Sequence, residues 1–272
     1  METDARPILA VALAICTLMG SQTTDAADPV KVHAAGSLRS VLADIAAEFT
    51  RRESTAVAFQ FGPSGRLKDR LATGEVSDVF ASADMEHPRA LAEAGIAGSV
   101  RRFARNRLCG LASPKLAVNA ATLLEVMLDD RVKLGTSTPK ADPMGDYAWK
   151  LFERAESQHP GAFQQLSAKA LQLTAGPQSP PPPKDRNVFG ALVAGGSADL
   201  FLTYCTAALL AKNEEPQLAI IDIPEALNVI ADYGLVVMKS AQPAAQRFAD
   251  FVLSSDGQAI LAKHGFAPGA GR

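Results

Sequence analysis

The sequence predicts an α/β fold of two lobes, each a mostly parallel sheet flanked by helices, and three observations lead to this. Strand-like runs are repeatedly followed by runs with apolar residues at helical spacing, which is the order of a parallel sheet with helical crossovers. This alternation of strands and helices occurs both before and after about residue 107, without an internal sequence repeat, which favours two lobes over one sheet. The 272 residues are 47% hydrophobic and 21% charged, enough for one large or two modest cores.

The first half of the chain predicts three strand–helix pairs. The segment VKVHAA at 30–35 alternates like a strand, and apolar residues from Leu38 to Phe49 then recur on one helix face. The remaining elements predicted here are a strand over 55–61, a short helix around Leu67 and Leu71, a buried strand over 78–83 and a helix over 87–94.

The second half repeats this rhythm and adds a proline-rich segment, Pro177–Pro183. Consecutive prolines fit neither a helix nor a central strand, so this segment is predicted as a surface loop. The predicted strands are 108–112, 133–136, 199–204, 218–223 and 234–238, and the predicted helices are 121–128, one with Pro143 in its first turn, 187–194 and a single closing helix over 248–264.

The N-terminal segment predicts export. Residues 8–20 are apolar but too short to span a bilayer, and small residues follow at Ala26 and Ala27, a pattern typical of a signal peptide over 1–27. Charges in the first residues are balanced rather than basic, which weakens the pattern, and a lipoprotein site at Cys16 is a weaker alternative. The mature chain is expected to begin near Asp28.

Charge and cysteine content exclude several classes of function. A net charge of −2 gives no reason to expect binding to nucleic acid or an anionic membrane. The four histidines are scattered, so no metal site and no cofactor are predicted. Cys109 and Cys205 could pair after export, but two thiols this far apart in sequence are more often buried apolar residues.

Two short stretches, AAGSL at 34–38 and FGPSG at 61–65, carry most of the functional information. Each follows a strand and opens a helix, so each places a serine and backbone N–H groups at a helix N-terminus. One such serine is ordinarily just a capping residue. Two of them joined by one helix indicate a site that holds an anion with neutral donors.

Other predicted strand ends contribute further candidate residues at the carboxyl edge of the sheets. The stretches DPMG at 142–145 and NV at 187–188 begin predicted helices, and Tyr204 ends a strand. Asp142 and Pro143 on their own are a common helix start, and a tyrosine at a strand end is more often a core residue. Gly36, Gly62, Gly65 and Gly145 would let the backbone approach a ligand. Because the donors are neutral, an anion that keeps a proton would need an acceptor that this set lacks.

A serine hydrolase is a remote alternative. Ser64 lies between a strand and a helix, as a hydrolase nucleophile does, and His264 occurs later in the chain. The pattern G-x-S-x-G fails, however, because Arg66 occupies the position of the second glycine. Neither glycine site reads G-x-G-x-x-G, so dinucleotide binding is not indicated.

Six stretches in order resemble the periplasmic molybdate-binding proteins of ABC importers. They are AAGSL, the Ser-Gly at 64–65, SDVFASAD at 77–84, RNRL at 105–108, DPMGDYA at 142–148 and ADLFLTY at 198–204. The similarity runs from about Val30 to Pro268. It implies the two-lobed periplasmic-binding-protein fold, with lobe one at 28–107 plus 226–272, lobe two at 108–225 and the ligand in the cleft between them.

The resemblance also implies the ligand-binding residues. Ser37 and Ser64 match serines that donate hydroxyl and N–H groups, Met144 and Val188 match backbone N–H donors, and Tyr204 matches a tyrosine hydroxyl. All of them would bind oxygens of molybdate, so no residue is expected to bond the metal atom directly. Met144 departs from the small residue usual at its position, and the loop at 177–183, followed by Lys184 and Arg186, looks like an insertion.

The implied function is capture of molybdate, and of tungstate, which is similar in size and charge. The protein would be a periplasmic monomer without enzymatic activity that delivers the anion to a membrane permease driven by an ATPase. Binding of another oxyanion, such as sulfate, or of a small organic acid remains the main alternative.

Overall fold

The computed structural model describes Met1, residues 28–183 and residues 186–269. The predicted signal peptide and Lys184 therefore lie outside the described residues, apart from Met1. In chain order the helices and strands are β1 Val30–Ala35, a 3-10 turn Gly36–Leu38, α1 Arg39–Glu53, β2 Val57–Gly62, α2 Ser64–Ala72, β3 Val79–Ser82, α3 Glu86–Glu93, β4 Arg101–Ala112, α4 Leu123–Leu128, β5 Leu134–Ser137, α5 Pro143–Glu156, α6 Ala162–Lys169, β6 Leu171–Thr174, α7 Val188–Ala194, β7 Leu200–Tyr204, α8 Cys205–Glu214, β8 Ala219–Asp222, β9 Ile230–Val237, α9 Pro243–Leu253, α10 Ser255–Lys263 and β10 Ala267–Pro268.

The strands form two groups. In the first group β1 lies between β2 and β3, parallel to both, and β9 pairs antiparallel with β3 and with the first part of β4. In the second group β5 lies between β6 and β7, parallel to both, and the last part of β4 pairs antiparallel with β7 and β8. The carboxyl ends of β1 and β2 therefore lie side by side, which brings the two predicted serine stretches to one edge.

Strand β4 belongs to both groups. Its residues 101–107 pair with β9, and residues 108–112 pair with β7 and β8. Because one continuous strand changes partners between Arg107 and Leu108, the two groups are connected through it.

A largely apolar core supports both groups. Phe49 of α1 packs edge-on against Phe248 of α9, with ring centroids 5.3 Å apart, and both side chains are fully buried. Leu151, Phe152 and Phe201 fill the corresponding space beside the second group. Within the described residues, no helix combines the length and apolar character needed to span a membrane.

Most predicted elements are confirmed, but the single closing helix is wrong. The chain leaves the helical conformation at Ser254, whose backbone is extended and whose Oγ accepts a hydrogen bond from the N–H of Gly257 at 3.2 Å. Since this serine caps a new helix, α9 and α10 are separate elements. The proline-rich segment 177–183 contains neither helix nor strand, as predicted.

Cys109 and Cys205 form a disulfide, the less favoured of the two alternatives. It connects the second part of β4 to the first residue of α8. Cys205 directly follows Tyr204, so the bridge holds the end of β7 against β4. The sequence separation of 96 residues hid this contact, which exists because β4 and β7 are neighbours in the sheet.

Candidate functional site

Ser37 lies in the 3-10 turn directly after β1. Its Oγ is 3.1 Å from the hydroxyl oxygen of Tyr233, a fully buried residue of β9. The Tyr233 ring in turn lies 5.6 Å, centroid to centroid, from the ring of Tyr204. Ser37 and Tyr204, predicted from opposite halves of the chain, are thus connected through a single tyrosine that the sequence did not single out.

Ser64 is the first residue of α2 and is completely buried. Its Oγ accepts a hydrogen bond from the N–H of Ala83, just after β3, at 3.2 Å. A hydroxyl has one proton to donate, and among the described residues none accepts it from Ser64. The group can therefore donate to a ligand while the N–H of Ala83 fixes its position.

Tyr204 ends β7 with only 2% of its surface exposed. Its ring lies between those of Tyr233 and Tyr147, the latter with its centroid 6.4 Å away. Within the described part of the chain its hydroxyl makes no hydrogen bond of ordinary geometry, although the Tyr233 hydroxyl lies close enough to influence its pKa. Burial raises the pKa of Tyr204 well above its ordinary value, and the hydroxyls of Tyr233 and Tyr147 act in the same direction, so the phenol is neutral and able to donate.

Met144 lies in the first turn of α5, after the capping residue Asp142 and Pro143. Its Sδ lies 3.3 Å from the Oγ1 of Thr203, the neighbour of Tyr204, which places this helix start beside the end of β7. Its N–H already has an acceptor, because Oδ1 of Asp142 is 3.4 Å away. The donor implied by the resemblance is therefore shared with a carboxyl group.

Asp142 is a residue that sequence reasoning treated only as a helix cap. Its Oδ2 is 2.7 Å from the Oγ of Ser137, at the end of β5. Burial raises the pKa of the Asp142 carboxyl, and the hydrogen bond from Ser137 opposes this rise. The DPMG stretch contains this carboxyl, but its residues were interpreted as an ordinary helix cap. A carboxyl beside the anion site was therefore not predicted.

Val188 begins α7, and the structure does not connect it with the other four residues. The side chain of Asn187 caps this helix by accepting from the N–H groups of Phe189 and Gly190, both at 3.0 Å. No hydrogen bond or ring contact among the described residues connects Val188 to Ser37, Ser64, Met144 or Tyr204. Its role as a donor stays a prediction.

The two strand groups touch at Gly65. A Cβ atom built on this residue would overlap the carbonyl oxygen of Lys140 and stand 3.0 Å from that of Ala141, in the loop between β5 and α5. Gly145 is equally tight, since its Cβ would stand 2.6 Å from the backbone nitrogen of Pro139. These two glycines thus allow other backbone segments of the protein to approach closely. The sequence analysis had predicted that a ligand would make this close approach.

A cavity of about 210 Å³ lies beside this contact, between α3, α5 and β9. Glu86 and Lys150 face each other across it with 3.7 Å between Oε1 and Nζ. Burial raises the pKa of Asp146, another of its residues. The charged groups that line it are Asp84, Glu86, Arg89, Asp146, Lys150 and Asp232.

The structure gives the hydrolase alternative no support. His264 ends α10, and its Nε2 is 2.8 Å from a carboxylate oxygen of Asp44 on α1. The partner of the Ser64 hydroxyl is a backbone N–H group rather than a base. A serine nucleophile needs a base within hydrogen-bond reach, and among the described residues Ser64 has none.

Comparison with known proteins identifies the family. The family model for bacterial extracellular solute-binding proteins matches residues 30–267, so the chain belongs to this family. The uncharacterized protein PM1146 of Pasteurella multocida is 34% identical over 241 residues, covering 88% of this chain and 98% of its own. The molybdate-binding protein ModA of Mycobacterium tuberculosis is 28% identical over 258 residues, covering 90% and 86%.

Solved structures confirm the predicted fold class. The periplasmic molybdate-binding protein of Azotobacter vinelandii superposes with a TM-score of 0.70 at 21% identity, over 88% of this chain and 98% of that one. The sulfate-binding protein SubI of Mycobacterium tuberculosis gives 0.71 at 14% identity, over 88% and 86%. The fold is that of periplasmic binding proteins, a mixed sheet with flanking helices. The family to which the chain belongs is one of solute-binding proteins.

Proposed function

We propose that this protein captures molybdate, and equally tungstate, in the periplasm and delivers it to the permease and ATPase of an ABC importer. The observation that carries the proposal is the buried hydroxyl of Tyr204, which has no partner among the described residues. A buried donor without an acceptor costs about 1–3 kcal/mol, a cost that a bound oxyanion would remove. ModA at 28% identity supports molybdate as that oxyanion.

The neighbouring donors fit the same chemistry. Ser37 and Ser64 add hydroxyl groups at the carboxyl ends of adjacent strands, and both are uncharged. A fully ionised oxyanion taken out of water needs a donor for every oxygen. Molybdate and tungstate are alike in size and charge, so the same donors serve both. Sulfate is smaller and would leave these donors stretched.

The protein is proposed to act as a monomer that binds and releases without chemistry. It would be exported by the segment 1–27, close around the anion and present the closed form to the permease. The predicted lobes, 28–107 plus 226–272 and 108–225, are the bodies that would move. Binding of sulfate is the second candidate, favoured by the fold similarity to SubI.

Titration calorimetry of the purified chain with molybdate, tungstate, sulfate and phosphate tests the proposal. Sub-micromolar binding of the first two alone is the expected result. Ser37→Ala and Ser64→Ala should each weaken binding by about 1–3 kcal/mol. Ser77→Ala is the matched control, because Ser77 is also buried but precedes β3, with its Oγ bonded to the carbonyl oxygens of Lys31 and Val79.

Two outcomes would contradict the proposal. Sulfate binding without molybdate binding would establish the second candidate. Equal affinity in Ser37→Ala, Ser64→Ala and Ser77→Ala would show that the anion binds elsewhere.

A further inference from the structure

The carboxyl group of Asp142 lies at the proposed oxyanion site, where only neutral donors were expected. Its Oδ1 lies 3.4 Å from the N–H of Met144, the same N–H that is expected to donate to the anion. The Asp142 carboxyl also lies close enough to the hydroxyls of Tyr204 and Tyr233 to raise the pKa of both. An ionised Asp142 and a dianion would therefore compete for one donor and repel each other.

Repulsion of this kind is strong at short range. Two like charges that share one hydrogen-bond donor repel strongly where protein replaces water around them. Among the described residues, Ser137 and Met144 provide the carboxyl with two hydrogen bonds, the second of them long. A proton held between the carboxyl and the anion removes the repulsion and adds a charge-assisted hydrogen bond.

We infer that the bound oxyanion shares one proton with Asp142, so that capture of a fully ionised oxyanion takes up one proton from solution. The inference rests on the proposed function, and it adds a residue that determines specificity. Before binding, the dianion, the ionised Asp142 and one proton are separate. After binding, one complex contains all three. An oxyanion that keeps its own proton at neutral pH, such as hydrogen phosphate, supplies it without uptake from solution.

The surroundings of Asp142 are compatible with this protonation. Burial raises the pKa of its carboxyl, so the proton is taken up more readily than by a solvated aspartate. Asp146 acts in the same direction and His87 opposes it. The titratable and polar groups that face Asp142 are Ser137 at the end of β5, Met144 and Asp146 on α5, His87 on α3, Tyr204 on β7 and Tyr233 on β9.

Calorimetry in two buffers of different protonation enthalpy measures the uptake directly. Molybdate and tungstate are titrated into the purified chain between about pH 6 and about pH 8, and the heat difference between buffers reports protons bound. Uptake close to one proton per anion is expected, with affinity falling up to tenfold per pH unit above the pKa of Asp142.

Asp142→Asn should abolish both the proton uptake and the pH dependence. Asparagine is an equally good N-cap and can still accept from the N–H of Met144, so α5 keeps its start. Asp146→Asn is the matched control, since Asp146 is a neighbouring carboxyl on the same helix whose Oδ1 accepts from the N–H of Lys140 at 2.8 Å. The control should retain the proton uptake.

The outcomes separate this inference from the proposed function. Tight molybdate binding without proton uptake, or uptake lost in Asp146→Asn instead, would overturn the role of Asp142 and leave the proposed function standing. Failure of the chain to bind molybdate, sulfate and phosphate would overturn both. If Asp142→Asn does not fold, the uptake measured on the unmodified chain decides, and Asp142→Ser provides a second capped variant.

Discussion

Gly65 is the position where the structure predicts the clearest effect of a single methyl group. It lies at the start of α2, in the first strand group, and faces the Lys140–Ala141 backbone of the second group. The Cβ of an alanine would overlap the Lys140 carbonyl oxygen and stand 3.1 Å from Nε2 of His87. Gly65→Ala should therefore disfavour contact between the two groups, while within its own group only the end of the His87 side chain must shift.

The size of the affinity loss depends on which atoms must move to make room for the added methyl group. The overlapping atom belongs to the backbone, and Lys140 already has a positive φ of 66°, so its loop cannot shift freely. Overpacking of this kind costs typically about 1–3 kcal/mol. If the contact forms when the anion is enclosed, the dissociation constant should rise by about 5- to 150-fold.

Calorimetry with molybdate and thermal unfolding of the same sample measure both halves of this expectation. Gly62→Ala is the matched control, because the atoms nearest to its Cβ would be those of the Leu67 side chain, at an ordinary 3.5 Å. The midpoint of unfolding should change little in either variant, and only Gly65→Ala should lose affinity. Unchanged affinity in Gly65→Ala would refute the reasoning, and a large loss of stability would show that the contact belongs to the fold rather than to closure.

Three further predictions concern buried groups. Tyr204→Phe should leave the free protein at least as stable, since its hydroxyl has no partner among the described residues, and weaken anion binding by about 1–3 kcal/mol in calorimetry. Reduction of the Cys109–Cys205 disulfide, which closes a separation of 96 residues, should destabilise the chain by about 2–5 kcal/mol, seen as a lower unfolding temperature with reductant. Asp142→Asn should raise the unfolding temperature at neutral pH, because burial raises the pKa of this carboxyl and its ionised form destabilises the fold.

Each of these has a result that would contradict it. A destabilised Tyr204→Phe variant would mean that the hydroxyl is bonded within the fold. Equal unfolding temperatures with and without reductant would show that the bridge adds nothing. The gain from Asp142→Asn should fade as the pH falls from the raised pKa towards that of an ordinary carboxyl, and a gain that persists in acid would have another cause.

The periodic elements were predictable because their signals are local. Val30–Ala35 alternates in sequence and forms a strand, although every residue of it except Lys31 is buried, and α1 uses the apolar face that starts near Leu38. The first part of β4, Arg101–Arg107, was missed because its arginines mask the alternation around the buried Phe103. Helix α8 was missed because small residues give it little apolar contrast. Neither omission changed the fold class, which depends on the order of the elements.

The sequence by itself determined the α/β class, the serines at two adjacent strand ends and Tyr204 at a third. These follow from spacing along the chain, which the sequence records directly. Only the tertiary structure decided that Tyr233 joins Ser37 to Tyr204, that Cys109 meets Cys205, and that the buried Asp142 carboxyl lies near Tyr204. Contacts between distant segments depend on which strands become neighbours, and no local pattern encodes that.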